Sequence, residues 1–153
     1  MSLRQQLSQE KELKMNVENN AVGLFGLKVS ENGGPEETIT TTELFFIVTS
    51  KKLRVGGFQV GPNGLRGAQV DINGEIKTGT YPFTKDLSVT GFYNQSGLVS
   101  SWPAVTKGGK ITILEVDVTK KFARGTFKFR AEERGNPSNY ANATGSFSLT
   151  EKE

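Results

Sequence analysis

The chain changes periodicity near Ala21. Before it, the stretch MSLRQQLSQEKELKMNVENN has helical character: Ser2 and Gln5 have the spacing of a capping box, Leu3 and Leu7 fall on one face, and no Gly or Pro occurs before Gly23. Two or three leucines make a thin apolar stripe, and so short a helix is marginal when isolated in water. Residues 1–20 therefore read as a short polar helix that docks on the rest of the chain, or as a frayed, disordered arm. From Ala21 onward the period is two. AVGLFGLKV, TITTTELFFIVTS, LRVGGFQVG, LRGAQVDI, EIKTGTYPF, LSVTGFYNQ, KITILEV, FARGTFKFRA and TGSFSLT are rich in β-branched and aromatic residues and separated by Gly, Pro and Asn turn signals. This spacing predicts an all-β domain over residues 21–153: a single antiparallel β-sandwich of about 8–9 strands, with a closed or partly open β-barrel as the alternative. In one run, Leu44–Val48, both alternating sets are apolar. Such a run belongs in the middle of a sheet or beneath the N-terminal helix.

A second pattern lies near the C-terminus. Gly125-Thr126-Phe127-Lys128-Phe129 returns as Gly145-Ser146-Phe147-Ser148-Leu149, and Gly79-Thr80-Tyr81-Pro82-Phe83 echoes both. Alternation puts Gly125, Phe127, Phe129 and Ala131 on one face and Arg124, Thr126, Lys128 and Arg130 on the other. The Phe residues supply core, and each preceding Gly supplies a bulge or room for a neighbouring strand. The repetition thus predicts packing on adjacent strands and carries no catalytic signature.

Composition narrows the chemistry. The chain has 153 residues, enough for one domain with a single core, and contains neither Cys nor His. Disulfides, thiolate metal sites, cysteine nucleophiles and His-dependent triads are excluded within this chain. No cofactor or metal is expected. The net charge of +3 is too mild for a nucleic-acid footprint, and the basic segments lack interleaved aromatic residues on which bases stack. No apolar run reaches the roughly 18 residues of a membrane span, and the N-terminal stretch has no apolar core of a secretory signal. The reading is a soluble protein, cytoplasmic if this N-terminus is native and secreted or periplasmic if a signal was removed.

Gly109-Lys110-Ile111-Thr112-Ile113, Asp117, Gly125–Ala131 and Thr144-Gly145-Ser146-Phe147, together with Gly79-Thr80-Tyr81, resemble the C-terminal half of small bacterial all-β proteins. Many of these are secreted or lipid-anchored, and they form families without an assigned activity. The resemblance covers about half the chain and implies the fold. The absence of a cysteine to lipidate departs from the anchored members.

Three constellations carry candidate chemistry. In VDINGEI, a hairpin pairing Val70 with Ile76 sets Asp71 opposite Glu75; two carboxylates there would bind a cation or act as a glycosidase pair, or would simply be solvated. Lys120, Lys121, Arg124, Lys128 and Arg130 form a basic stripe, suited to an anionic partner or to a soluble, aggregation-resistant strand. The third follows from topology. KITILEV and FARGTFKFRA form a hairpin about the turn Asp117–Lys121, so the connectors 95–109 and 132–142 must meet at its open end. They carry Trp102, Lys107, Arg134, Asn136, Asn139 and Tyr140, with Tyr93 and Asn94 at the approach. Aromatic, amide and cationic side chains at one pole suit a sugar: rings stack on its apolar faces and amides bond its hydroxyls. The structural alternative is that Trp102 caps the sandwich end and Tyr140 packs over the loop base. The sequence therefore favours a non-enzymatic binding module for a carbohydrate or anionic partner. Alternatives are a carboxylate-dependent, glycan-active enzyme and an assembly subunit pairing through the N-terminal segment or an edge strand.

Overall fold

A computed structural model describes residues 21–62, 64–95 and 101–152. Within them every regular element is a strand: β1 (Ala21–Glu31), β2 (Glu36–Ile39), β3 (Glu43–Thr49), β4 (Lys52–Gly61), β5 (Gly64–Asn73), β6 (Gly79–Pro82), β7 (Val89–Asn94), β8 (Trp102–Pro103), β9 (Lys110–Asp117), β10 (Phe122–Glu133) and β11 (Asn136–Glu151). One sheet has six strands in the order β2-β1-β11-β10-β9-β6, the other five in the order β3-β4-β5-β7-β8, and the pairings are antiparallel. The two sheets pack as a sandwich and do not close into a barrel. The expected N-terminal helix lies outside the described residues.

Eleven strands replace the expected nine for two local reasons. TITTTELFFIVTS is broken, ending β2 in one sheet and resuming as β3 in the other, with the Thr42 amide bonded to the Phe58 carbonyl at the crossing. The short strand β8 is added where Trp102 pairs with Tyr93. The doubly apolar run Leu44–Val48 lies in β3, at a sheet edge and not in a sheet centre. The VDINGEI hairpin does not form. Val70 pairs with Val55 and Gly91, Asp71 with Arg54 and Thr90, and the chain then crosses to the six-stranded sheet, anchored by the buried Ile76. Burying Ile76 between the sheets outweighs the short-range turn signal, and Asp71 never faces Glu75.

The glycine–phenylalanine repeat is explained by register. β10 and β11 run antiparallel, so Gly125 lies opposite Phe147 and Phe127 opposite Gly145. A Cβ at Gly145 would stand 2.4 Å from the Phe127 ring, and one at Gly125 2.9 Å from the Phe147 ring. Each glycine is the notch that receives the other strand's ring. The rings continue as a stack through the core, Phe25 to Phe127 at 5.4 Å, Phe127 to Phe129 at 6.1 Å and Phe129 to Phe83 at 5.6 Å. Aromatic contacts of this kind add about 0.5–1.5 kcal/mol beyond area burial.

The connector 132–142 is no loop. β10 and β11 run on as one hairpin, irregular at Glu132/Glu133, and turn tightly at Arg134-Gly135, where Gly135 takes φ +80°. Its polar composition reflects a ribbon that outruns the core into water, where no apolar face is required.

Candidate functional site

The open end of the β9–β10 hairpin gathers the sequence-derived candidates, as the topology requires. Trp102 and Tyr140 lie at that same end: Ala104, two residues past Trp102, bridges Ala131, and the next residue along, Glu132, pairs with Tyr140. Their environments differ. Trp102 is 2 % exposed and meets Tyr93 edge-to-face at 5.8 Å. Both rings point between the sheets, so neither offers an open face for a sugar. Trp102 plugs the end of the sandwich, where segment 102–105 pairs first with β7 and then with β10, through the Val105 amide and the Arg130 carbonyl at 2.8 Å.

Buried Tyr93 ends in a polar knot. Its hydroxyl donates to Glu31 Oε2 at 2.6 Å and accepts from Arg66 Nε at 3.0 Å, while Arg66 Nη1 donates to Glu37 Oε2 at 2.9 Å. Burial, and then the Glu31 carboxylate, push the Tyr93 hydroxyl well above the ordinary phenol range. For Arg66, burial opposes the charge, but the bonds to Tyr93 and Glu37 and the field of Glu31 outweigh it and hold the guanidinium above its usual value. The knot joins β1, β2, β5 and β7 and so ties the two sheets together. Asn94 is half-buried and accepts from the Ser101 hydroxyl.

The remaining candidates spread along the projecting ribbon and onto the outer face of the six-stranded sheet. Arg134 and Asn136 are exposed at the hairpin tip, and Asn139 is half-buried beside Glu133. Tyr140 is bracketed by Asn32, whose backbone amide donates to its carbonyl and whose side chain accepts from its amide. The Arg130 guanidinium lies 3.8 Å above the Tyr140 ring, a cation–π contact. Lys107 is exposed on the turn before β9.

That outer face holds residues the sequence did not bring together. Register aligns Thr38, Lys28, Thr144, Lys128 and Lys110 in one row across β2, β1, β11, β10 and β9. The next row is Glu36, Ser30, Asn142 and Arg130. With strands about 4.8 Å apart, Lys110 and Lys128 are immediate neighbours and Lys28 is two strands away. Among the described residues none of the three, nor Lys107, has a carboxylate within ion-pair distance. Three other members of the expected basic stripe are neutralised: Arg124 pairs with Glu115 and Arg130 with Glu132, each at 2.9 Å, and Lys121 reaches Glu151 at 3.7 Å, whereas Lys120, at the β9–β10 turn, makes no ion pair among the described residues. Beside the row lies an open groove of about 750 Å³, lined by Val105, Lys107, Lys128, Arg130, Asn142 and Thr144 among others, with one carboxylate, Glu132, already paired to Arg130. Like charges placed directly opposite on a sheet destabilise it by a few tenths of a kcal/mol or more. Here that cost is accepted where hydroxyls and an amide are also presented.

Lys110 faces Lys128 across the β9–β10 hairpin, but Lys28 lies far from both in sequence, so only the strand order reveals the full row. The paired carboxylates proposed for VDINGEI are not assembled, and Asp71 instead receives Arg54 through two bonds of 3.0 and 3.1 Å. Among the described residues no helix is long and apolar enough to cross a membrane. In comparisons with known proteins, no family model matches the chain, and no curated protein or solved structure matches it significantly.

Proposed function

We propose that this chain is a non-catalytic binding module for an acidic polysaccharide, held on the outer face of the six-stranded sheet next to the Trp102 end. The observation that carries this reading is the row Lys28–Thr144–Lys128–Lys110, with three cations lacking protein partners among the described residues. A carboxylated or sulfated polymer laid across the strands supplies the missing counter-charges. Thr144, Asn142 and Ser30 then meet its hydroxyls, and the wall at Val105–Lys107 limits its path at one side. Charge on a face of mild overall potential favours a screened, moderate-affinity interaction, strongest at low salt. The burial of Trp102 and Tyr93 moves the emphasis from ring stacking at the pole to ion pairing on the face.

Calorimetric titration with carboxylated, sulfated and neutral polysaccharides tests the proposal. Acidic polymers should bind and neutral ones should not, with affinity falling as salt rises. Equal binding of neutral polymers, no binding of any acidic polymer, or cleavage of the bound chain would overturn it.

A further inference from the structure

The lysine row has a companion on the same face. One step along the strands, about 6.8 Å away, a parallel row runs through Ser146 of β11, Thr126 of β10, Thr112 of β9 and Thr80 of β6, each the register partner of the next. Thr112 lies between buried Ile111 and Ile113, and Thr126 between buried Gly125 and Phe127, so these hydroxyls point outward. The Thr80 and Thr112 hydroxyls are 2.9 Å apart, whereas those of Thr126 and Ser146 have no protein partner among the described residues. Every member is uncharged. At its β1 end the row closes with Gly26, opposite Ser146, where a Cβ would stand 3.3 Å from the Ser146 hydroxyl oxygen. With no side chain there, an open groove of about 310 Å³ lies between the two rows, lined by Lys28, Thr38, Thr144 and Ser146 as well as Gly26. Lys28 borders this groove and Lys128 the larger one, and Thr144 is shared by both. Cross-strand Thr pairs support a sheet, which accounts for Thr80 and Thr112. That does not account for Gly26, a weak strand former that faces away from the core.

Resting on the acidic-polysaccharide reading above, we infer that the polymer is a polyuronate. It has one carboxylate on each sugar ring, along the edge that lies over the lysines, and free, unsulfated hydroxyls along the edge over the Ser/Thr row. The strand spacing of about 4.8 Å is close to the rise of one ring along an extended polysaccharide, so rings crossing the sheet keep step with the strands. Carboxylates of successive rings then reach Lys110 and Lys128, and one two strands further on reaches Lys28. The other edge of the polymer meets only hydroxyls, which both donate to and accept from sugar hydroxyls. A sulfate on that edge would shed water without gaining a cation. Extra negative charge on the polymer therefore weakens binding here, the reverse of what a diffuse positive field would give.

Calorimetric titration of the full chain at one salt concentration compares a polyuronate with its O-sulfated derivative of equal length. The sulfated form should bind at least about fivefold more weakly, although it carries more charge. The variant Thr112→Val/Thr126→Val/Ser146→Ala removes three hydroxyls and keeps the β-branched shape at two of them. It should bind the polyuronate about tenfold more weakly than the parent. Its affinity for polyacrylate, which has carboxylates but no ring hydroxyls, should be that of the parent. If the triple variant does not fold, Thr126→Val alone should show a severalfold loss for the polyuronate. Equal or tighter binding of the sulfated polymer, a polyuronate affinity untouched by removal of the hydroxyls, or an equal loss for polyacrylate would overturn the inference and leave the acidic-polysaccharide reading standing. Absence of binding to every acidic polymer would overturn both.

Discussion

The two outer faces of this sandwich share a backbone plan and differ in nearly every side chain. On the six-stranded sheet the outward positions include Lys28, Ser30, Thr126, Lys128, Arg130, Asn142, Thr144 and Ser146, an alternation that water accepts, with Val22 and Leu24 of β1 as exposed apolar exceptions. On the five-stranded sheet they include Phe45, Ile47, Phe58, Val60, Leu65 and Phe92. Both faces depart from what stability alone would choose. The first keeps three lysines in a row without carboxylates, and the second turns aromatic rings away from the core. The first departure is the one that the proposed anionic polymer would complete. The comparison shows that the outward positions are where the two sheets are free to differ, because the inward positions are already fixed by the core.

The largest test of the contrast is charge reversal. Lys28→Glu, Lys110→Glu and Lys128→Glu together should reduce binding of an acidic polysaccharide by at least about a hundredfold, near 3 kcal/mol. Calorimetry would read the loss, and melting within about 2 °C of the parent would show that the fold is intact. A smaller contrast concerns stability. Phe58→Ala should cost about 3 kcal/mol in urea unfolding, whereas Thr126→Ala on the opposite face should stay within about 0.5 kcal/mol; similar costs would erase the distinction between the faces.

The third test concerns the knot that joins the sheets. The Tyr93 hydroxyl is raised in the fold, so the neutral phenol is the stabilising form. Its contribution is complete below the unfolded phenol value near 10 and is lost as pH climbs beyond it toward the folded value. Tyr93→Phe should cost about 1 kcal/mol at neutral pH and flatten the alkaline fall in stability, measured by urea unfolding between pH 9 and 11. The smallest effect is Lys128→Gln, which relieves the Lys110–Lys128 repulsion and should gain a few tenths of a kcal/mol at low salt and nothing at high salt.

Some of this was legible beforehand because it is local. Alternation placed Gly125, Phe127, Phe129 and Ala131 inward, and the repeated Gly-x-Phe announced close-packed neighbouring strands. The meeting of Trp102 and Tyr140 at one end followed from the antiparallel β9–β10 hairpin alone. Other features were not legible. Whether Trp102 capped the end or faced solvent depended on Tyr93 across β7. The stretch 132–142 read as a loop because polarity is shared by loops and by ribbons that extend past the core. Asp71 appeared free for chemistry until β4 brought Arg54 beside it.

The sequence by itself determined that the chain from Ala21 onward is strand-rich and antiparallel with an aromatic core, leaving sandwich and barrel open, since a period of two and its turn residues act over a few positions. Only the tertiary structure decided which strands are neighbours. That choice depends on the total burial achieved by whole sheets, and it alone set Lys28, Lys128 and Lys110 in one row and Phe45, Phe58 and Phe92 in one patch.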